Sequence, residues 1–411
     1  MNTRLDAATP SRPLDGVRVL AVENFIAGPL ASMWLADAGA EVVKIEEPGK
    51  GDHSRSTSPV RPDEDGQLQG LSFLRSNRNK RSVTLDLKSE EGKRVFRQLA
   101  METDIVLENL RPGVMDHLGL GWAVLNELNP RLIYVAVSGF GHADVKPSPY
   151  SERPAFDIVA QALSGLMYRP ERSGDRPIYL GVSLGDIQAG IVAAQGALLA
   201  LLQRGRTGKG QKVDISLYDA ALVVNEISVA MYSAFQKKAK PGVHAVTAPF
   251  GAYKAADGYI VIAVLGEHVW RRFAQAIGQP ELIDEERFCD GVTRQANLAA
   301  LDAVIQPWLS TRTRAEAVRD LLAHGVPAST VNDVDDIFDC PHVAARDMLV
   351  KLEDPVWGTV QVPGNPIKMS GVPDIPVGHP PRLGEHTEDV LARWIGLDTT
   401  AVEALRSQGV V

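Results

Sequence analysis

Val17-Arg18-Val19-Leu20-Ala21-Val22 is followed by the loop Glu23-Asn24-Phe25-Ile26-Ala27-Gly28-Pro29, a helix-patterned run over 30–38, the glycine Gly39, and a second apolar run, Glu41-Val42-Val43-Lys44-Ile45. A short apolar strand, a loop, a helix closed by a glycine and another strand make one βαβ unit. The pattern repeats outward. Residues 82–87 and 104–107 read as strands with a helix over 90–100 between them, and 132–137 continues the series to Ser138-Gly139. A long helical stretch over 187–202 leads through the basic, Gly-rich link 203–211 into a strand at 212–216 and a helix from Leu217. Strands alternating with helices predict a doubly wound, mainly parallel α/β sheet of Rossmann-like type.

Beyond a linker at 237–242, which holds three lysines, a Pro and a Gly, the pattern is smaller in scale. A strand is expected at 258–265, helices at 267–277, 295–310 and 313–324, and a strand at 326–331. The tail from Asp354 is rich in Pro and Gly and ends in a helix near 385–395. The expected division is a large domain over 1–225, a small α+β domain over 240–325, and a return to the large domain over 330–411.

Composition narrows the function. The 411 residues are 45% hydrophobic and carry 43 Lys plus Arg against 51 Asp plus Glu, a formal charge of -8. Such a surface argues against nucleic acid or an anionic membrane as partner, so any anionic ligand needs a local basic cluster. Cys289 and Cys340 are too few for a disulfide framework and stand at no metal-ligand spacing. The polar, Pro-containing stretch 1–13 carries no secretory signal pattern, and no run reaches the roughly 18 apolar residues of a membrane span. A soluble, cytoplasmic protein is expected.

Asp186 ends the apolar run Ile178-Tyr179-Leu180-Gly181-Val182-Ser183-Leu184-Gly185, read as a strand, and opens the helix-patterned stretch that follows. A carboxylate there meets unpaired N–H groups and the positive end of the helix dipole, which would keep it ionised. Two roles fit: an N-cap, or a nucleophile. Nucleotide motifs fail elsewhere. Gly139-Phe140-Gly141 lacks the third glycine of a dinucleotide fingerprint, and Gly49-Lys50 is followed by Gly51 instead of the Ser or Thr of a phosphate loop. The nine histidines do not cluster at metal spacing. No metal and no permanently bound cofactor are expected, and His142 and His268 read as packing or surface residues.

Several strings together resemble the class III (family III) CoA-transferases, the family of formyl-CoA, carnitine and dicarboxylate CoA-transferases. They are Pro13-Leu14-Asp15-Gly16-Val17-Arg18-Val19-Leu20, Ala27-Gly28-Pro29, the 35–46 segment, Asn79-Lys80-Arg81-Ser82-Val83-Thr84-Leu85-Asp86-Leu87-Lys88, and the segment 108–121 from Glu108-Asn109-Leu110-Arg111-Pro112-Gly113. Arg153-Pro154-Ala155-Phe156-Asp157-Ile158-Val159-Ala160-Gln161, the 205–217 segment and Leu383-Gly384-Glu385-His386-Thr387 follow in order across nearly the whole chain.

The resemblance implies that Asp186, matching the aspartate ahead of the central helix, attacks a donor acyl-CoA to give an acyl-aspartyl anhydride. CoA thiolate then forms an aspartyl-CoA thioester, and an acceptor carboxylate reverses the steps. It implies CoA and acyl-CoA as substrates alongside a small carboxylic acid, with succinyl-CoA a common donor. Asn24, Phe25 and Ala27 match the loop at the pantetheine end, with Gly28 permitting close backbone approach. Asn109 and Leu110 match nucleotide-end contacts, with Arg111 beside them. Arg75, Arg78, Lys80 and Arg81 form the densest basic cluster, with Lys80 and Arg81 the candidates for phosphate contacts; a solvated charge run is the other reading of it. Arg153 is a candidate for a distal carboxylate, and Gly266-Glu267-His268 matches a loop that closes over the site. The family forms an interlocked dimer, so a homodimer is implied.

Two positions depart from the family pattern. His117 stands where a basic Arg or Lys is frequent, and Ile26 where the formyl-CoA branch has a Gln that positions oxalate, so oxalate is not expected as a substrate. The related α-methylacyl-CoA racemases carry a His directly before the Asp of the matching string; here Phe156 precedes Asp157, and a phenylalanine cannot take a proton. Asp157 then reads as structural, with helix capping its simplest role. The alternatives to a transferase are a racemase of the same family or a non-catalytic CoA-binding subunit.

Overall fold

The computed structural model describes residues 12–168, 176–238, 244 and 246–411. The chain forms two compact units. The first combines the residues up to Tyr168 with Tyr179–Glu226 and Ala345–Val411, and the second combines Arg169–Ile178 with Ile227–Ala344.

Six strands of the first unit, β1 (Arg18–Val22), β2 (Glu41–Glu46), β3 (Arg81–Thr84), β4 (Ile105–Glu108), β5 (Ile133–Ser138) and β6 (Gln211–Ser216), form one sheet in the order β3-β2-β1-β4-β5-β6. Every pairing is parallel. β4 and β5 are buried at every position, as strands covered on both faces must be.

One face is covered by α1 (Ala27–Asp37), α4 (Leu184–Thr207) and α5 (Leu217–Val224). Leu35, Ala189, Ala193, Ala197 and Ala221 pack there against Val19, Ile105 and Val135. The other face carries α2 (Glu90–Met101), started by Ser89 accepting the Gly92 N–H, and the helices Thr387–Ile395 and Thr399–Ser407. Phe96, Leu99, Trp394 and Leu405 fill that side. A short helix, α3 (Asp157–Leu163), precedes α4.

α1 and α4 approach closely because both present small residues. A Cβ on Gly190 would lie 2.8 Å from the Ala27 carbonyl oxygen, so only glycine leaves room for the α1 backbone. Among the described residues α4 is the one helix long and apolar enough to cross a membrane. Its stripe Ala189, Ala193, Ala197 and Ala200 is instead buried in this core.

Two sequence expectations fail nearby. The run 178–185 forms no strand: Tyr179, Leu180 and Val182 are exposed, and β5 is paired by β6 from Ile133↔Gln211 to Ser138↔Ser216. Apolarity alone does not separate a strand from an exposed apolar loop. Asp186 is also not the N-cap, since α4 starts at Leu184 after Ser183 and places Asp186 inside its first turn.

The second unit has its own core. β7 (Phe250–Ala255), β8 (Gly258–Ala263) and β9 (Ala328–Thr330) form an antiparallel sheet in the order β9-β8-β7. Trp270, Phe273, Leu301, Ile305 and Leu309 pack against it. The helix expected over 295–310 divides at Asn297 into Gly291–Ala296 and Leu298–Ser310. This unit is wider than the 240–325 expected, taking in the helix Glu226–Phe235 from Ile227 and the short helices up to Ala344. The linker residues 239–242 lie outside the described part.

Candidate active site

The strand order reverses between β1 and β4, and the chain leaves their carboxyl ends in diverging directions; in doubly wound sheets this crevice takes the ligand. Asn24 follows β1 and Asn109 follows β4. They are joined reciprocally: the Asn24 N–H donates to Asn109 Oδ1 at 2.8 Å, and Asn109 Nδ2 donates to the Asn24 carbonyl at 2.8 Å. A Cβ on Gly28 would come within 2.9 Å of Glu23 Cβ and 3.0 Å of Asn109 Cγ, so the glycine is what lets the two loops meet.

Phe25 is held at φ 64°, a left-handed conformation that costs a bulky residue energy, and its N–H donates to Asp52 Oδ1 at 3.2 Å. Its exposed ring stacks on His53 at 5.7 Å and meets Phe156 edge-on at 6.3 Å. Ala27 is buried against α4. The Leu110 N–H donates to Glu108 Oε2 at 2.8 Å, and Arg111 is exposed with no carboxylate paired to it among the described residues.

The basic cluster expected for phosphate is dispersed. Lys80 is buried, and its ammonium donates to Glu23 Oε1, the Pro29 carbonyl and Asn77 Oδ1, each at 2.8 Å. All three of its donors are used inside the fold, so a phosphate contact is not open to it. Arg78 is paired with Asp37 at 2.7 Å in the interior. Arg81, on the edge strand β3, is bound to Glu41 at 3.3 Å and Asp389 at 2.8 Å, away from the β1/β4 crevice. Spacing along the chain could not reveal these acidic partners, which lie tens to hundreds of residues away. Arg75 alone among the four is exposed without an ion pair.

Lys80 belongs to a buried network under the 23–29 loop. Lys44 contacts Asp52 at 2.8 Å and Glu23 at 3.5 Å, and Arg55 grips Glu46 with two bonds of 2.8 Å. Burial works against the charge on Lys44, yet Asp52, Glu23 and Glu46 outweigh it and hold its pKa above the ordinary value. Burial lowers Lys80 to about 8, with Glu23 opposing and Lys44 adding to the fall.

Asp186 is partly buried, and its carboxylate accepts no hydrogen bond from any described residue. The helix N–H groups go elsewhere. Asp157, in the first turn of α3, accepts from the Gly185 N–H at 2.7 Å and the Asp186 N–H at 3.2 Å. Its other oxygen accepts from Gln161 Nε2 at 2.6 Å, and the same nitrogen donates to the Val182 carbonyl at 2.8 Å. The capping expected of Asp157 is therefore applied to α4 from outside it. Burial and then the charge of Asp157 raise Asp186 to about 7, with Arg75 pulling the other way. The helix end, expected to keep Asp186 ionised, does not hold its carboxyl low, because its N–H groups are taken by Asp157.

Comparison with known proteins gives the family to which this fold belongs. The sequence model described as CoA-transferase family III matches residues 14–387. The chain belongs to that family. It is 35% identical to the succinyl-CoA–L-malate CoA-transferase beta subunit of Chloroflexus aurantiacus, over 99% of this chain and 100% of that protein. It is 37% identical to the succinyl-CoA:mesaconate CoA-transferase of Haloarcula marismortui, over 94% of this chain and 97% of that one. A crystal structure of a CAIB/BAIF family protein from Brucella suis superposes with a TM-score of 0.81 at 34% identity, over 93% of this chain and 100% of that chain.

A family III CoA-transferase takes CoA thioesters as substrates, and none of the described residues form a group of three or more His, Cys, Asp or Glu able to hold a metal. One titratable cluster beside the crevice escaped sequence reasoning. Glu108, at the end of β4, is raised to about 8 by burial, with the Leu110 N–H and Lys212 opposing. His142 lies 3.8 Å from it and is lowered to about 4 by burial and then by Lys212. Its only sequence signal was a Glu directly before Asn109. Arg153 stacks on Tyr150 at 3.8 Å, and Glu267 is bound to Arg294 at 2.8 Å. His117 is exposed.

Proposed function

We propose that this family III CoA-transferase moves CoA from succinyl-CoA to a small dicarboxylic acid, with Asp186 as nucleophile. The Asp186 carboxylate attacks the thioester carbonyl, a C–O bond forms as the C–S bond breaks, and CoA leaves as thiolate. The thiolate attacks the aspartyl carbonyl, releasing succinate and leaving CoA on Asp186 as a thioester. The acceptor carboxylate attacks that thioester to give a new anhydride, and the returning thiolate takes the acceptor acyl group and frees Asp186.

The supporting observation is the state of Asp186: partly buried, free of hydrogen-bond donors from described residues, and titrating at about 7. A carboxylate so placed is more basic than a solvated one, and it is mostly ionised only above about pH 7. The donor follows from the relatives, whose names specify succinyl-CoA with malate or mesaconate.

Asn24, Phe25, Asn109, Leu110 and Arg111 form the CoA-binding surface on this reading, with Ala27 packed beneath it against α4 and with Arg111 and Arg75 as available cations. Lys80 acts from beneath by holding Glu23 and the Pro29 carbonyl, and Arg81 is structural. A homodimer is part of the proposal: Leu199, Leu202 and Val223 leave apolar surface exposed on the first unit. The relative named as a beta subunit favours a second reading, in which the chain works with a related partner chain.

Intact-protein mass spectrometry of wild type and Asp186→Ala after incubation with succinyl-CoA tests the chemistry. A CoA-sized adduct in wild type that is absent from the variant is expected. An adduct retained by the variant would overturn the assignment. Light scattering of the purified chain, with exchange assayed on the same sample, separates the two assembly readings.

A further inference from the structure

We infer that Asp157 is a positioning residue for the nucleophile: fixed by Gln161, it takes the two N–H groups at the start of α4 and presents a second negative charge to Asp186. The inference rests on the reading of Asp186 as nucleophile and adds the device that activates it.

The geometry departs from ordinary capping. A helix start is normally satisfied by its own N-cap side chain, but Ser183 makes no such bond. The donors go to a buried carboxylate on another helix, whose second oxygen is bonded to Gln161. Gln161 is itself fully buried and anchored to the Val182 carbonyl, in the loop that leads into α4. Asp157 therefore has a fixed position at 2.7 and 3.2 Å from these N–H groups, and it offsets the positive helix end on which Asp186 would otherwise draw.

The consequence for the reaction follows from charge. Free Asp186 as carboxylate is repelled by Asp157, and the charged group facing the pair from the segment after Leu71–Leu74 is Arg75. In the anhydride and in the aspartyl-CoA thioester, Asp186 carries no charge and the repulsion is gone. Asp157 thus raises the free carboxylate relative to both covalent intermediates and favours their formation. Asp157 makes and breaks no bond to substrate.

Asp157→Asn tests this. Asparagine keeps an oxygen for the two N–H groups and removes the charge, and Gln161 can turn its partnerless Oε1 to the new NH₂ in exchange for its bond to the Val182 carbonyl. The acid limb of kcat/KM against pH is expected to move down by about one unit as the like charge goes. The alkaline plateau should fall about tenfold, and the steady-state aspartyl-CoA adduct should decrease. A plateau that falls with the limb unmoved would show a purely structural role and overturn the inference. Should Asp157→Asn not fold, Asp157→Ser, which keeps an oxygen acceptor and removes the charge, is measured instead; an unmoved limb there also overturns it. Failure of the nucleophile reading is distinguishable, because wild type would then show no adduct that depends on Asp186.

Discussion

Two clusters of charge in the first unit are built on opposite principles. Under the 23–29 loop, Glu23, Glu46 and Asp52 face Lys44, Lys80 and Arg55, with bonds near 2.8 Å between opposite signs. At the start of α4, Asp157 and Asp186 are two carboxylates sharing one helix end. The first arrangement balances its burial and fixes the shape of a loop. The second leaves one carboxylate unbalanced, which costs stability and, with Asp186 as the proposed nucleophile, is the source of its reactivity.

The largest test of that contrast is Asp186→Ala. CoA exchange should fall by about 10⁴-fold, as expected for loss of a covalent nucleophile, while the fold remains intact by circular dichroism. A loss of only a few-fold would place the nucleophile elsewhere and remove the functional half of the contrast.

The balanced cluster should fail in the other currency. Lys80→Met keeps the volume but leaves buried Glu23 only the Ser32 hydroxyl and the more distant Lys44, and breaking a buried pair costs about 3–5 kcal/mol. Urea unfolding would measure it. The residual folded enzyme should show a weakened CoA site, because Lys80 also holds the Pro29 carbonyl at 2.8 Å. Unchanged stability would mean that the network is not what holds the loop.

Asp186→Asn sharpens the comparison through pH. The folded pKa of Asp186 is raised, so well below pH 4 it is protonated in both folded and unfolded chains and contributes nothing. As pH rises from about 4 to about 7 the unfolded chain releases this proton first, and folded stability falls; above 7 the full cost is present. The amide removes that cost. At pH 8 the variant should be more stable by about 1–2 kcal/mol after allowance for partial solvent screening, and at pH 4 equal to wild type. Thermal unfolding at the two pH values checks it, and an equal gain at both would show that the repulsion is not electrostatic.

The sheet was legible from the first βαβ unit, because strands buried on both faces announce themselves as unbroken Val and Ile runs such as Val42-Val43 and Ile133 to Val137. Asp186 was legible as a candidate from its place at the start of a long helix-patterned stretch. Its electrostatics were not, since the N–H groups expected at its side are taken by a residue 29 positions earlier. The same limit dispersed the basic cluster: Arg78 and Arg81 stand close together in sequence, but Asp37 and Asp389, which bind them, are brought in only by the fold.

Lys80 and Arg81 give the smallest and most direct test. They are adjacent, yet one side chain turns into the interior and the other outward to Glu41 and Asp389, as alternation at the entry to β3 requires. An exposed, salt-screened pair contributes little, so Arg81→Met should change stability by less than about 0.5 kcal/mol. Because Arg81 sits on the edge strand and is already paired, KM for succinyl-CoA should stay within about twofold of wild type. A tenfold rise in KM with kcat unchanged would show that the guanidinium leaves its acidic partners to bind CoA phosphate. Arg81 would then belong with Arg75 and Arg111 in the substrate surface, and only the buried member of this pair would be structural.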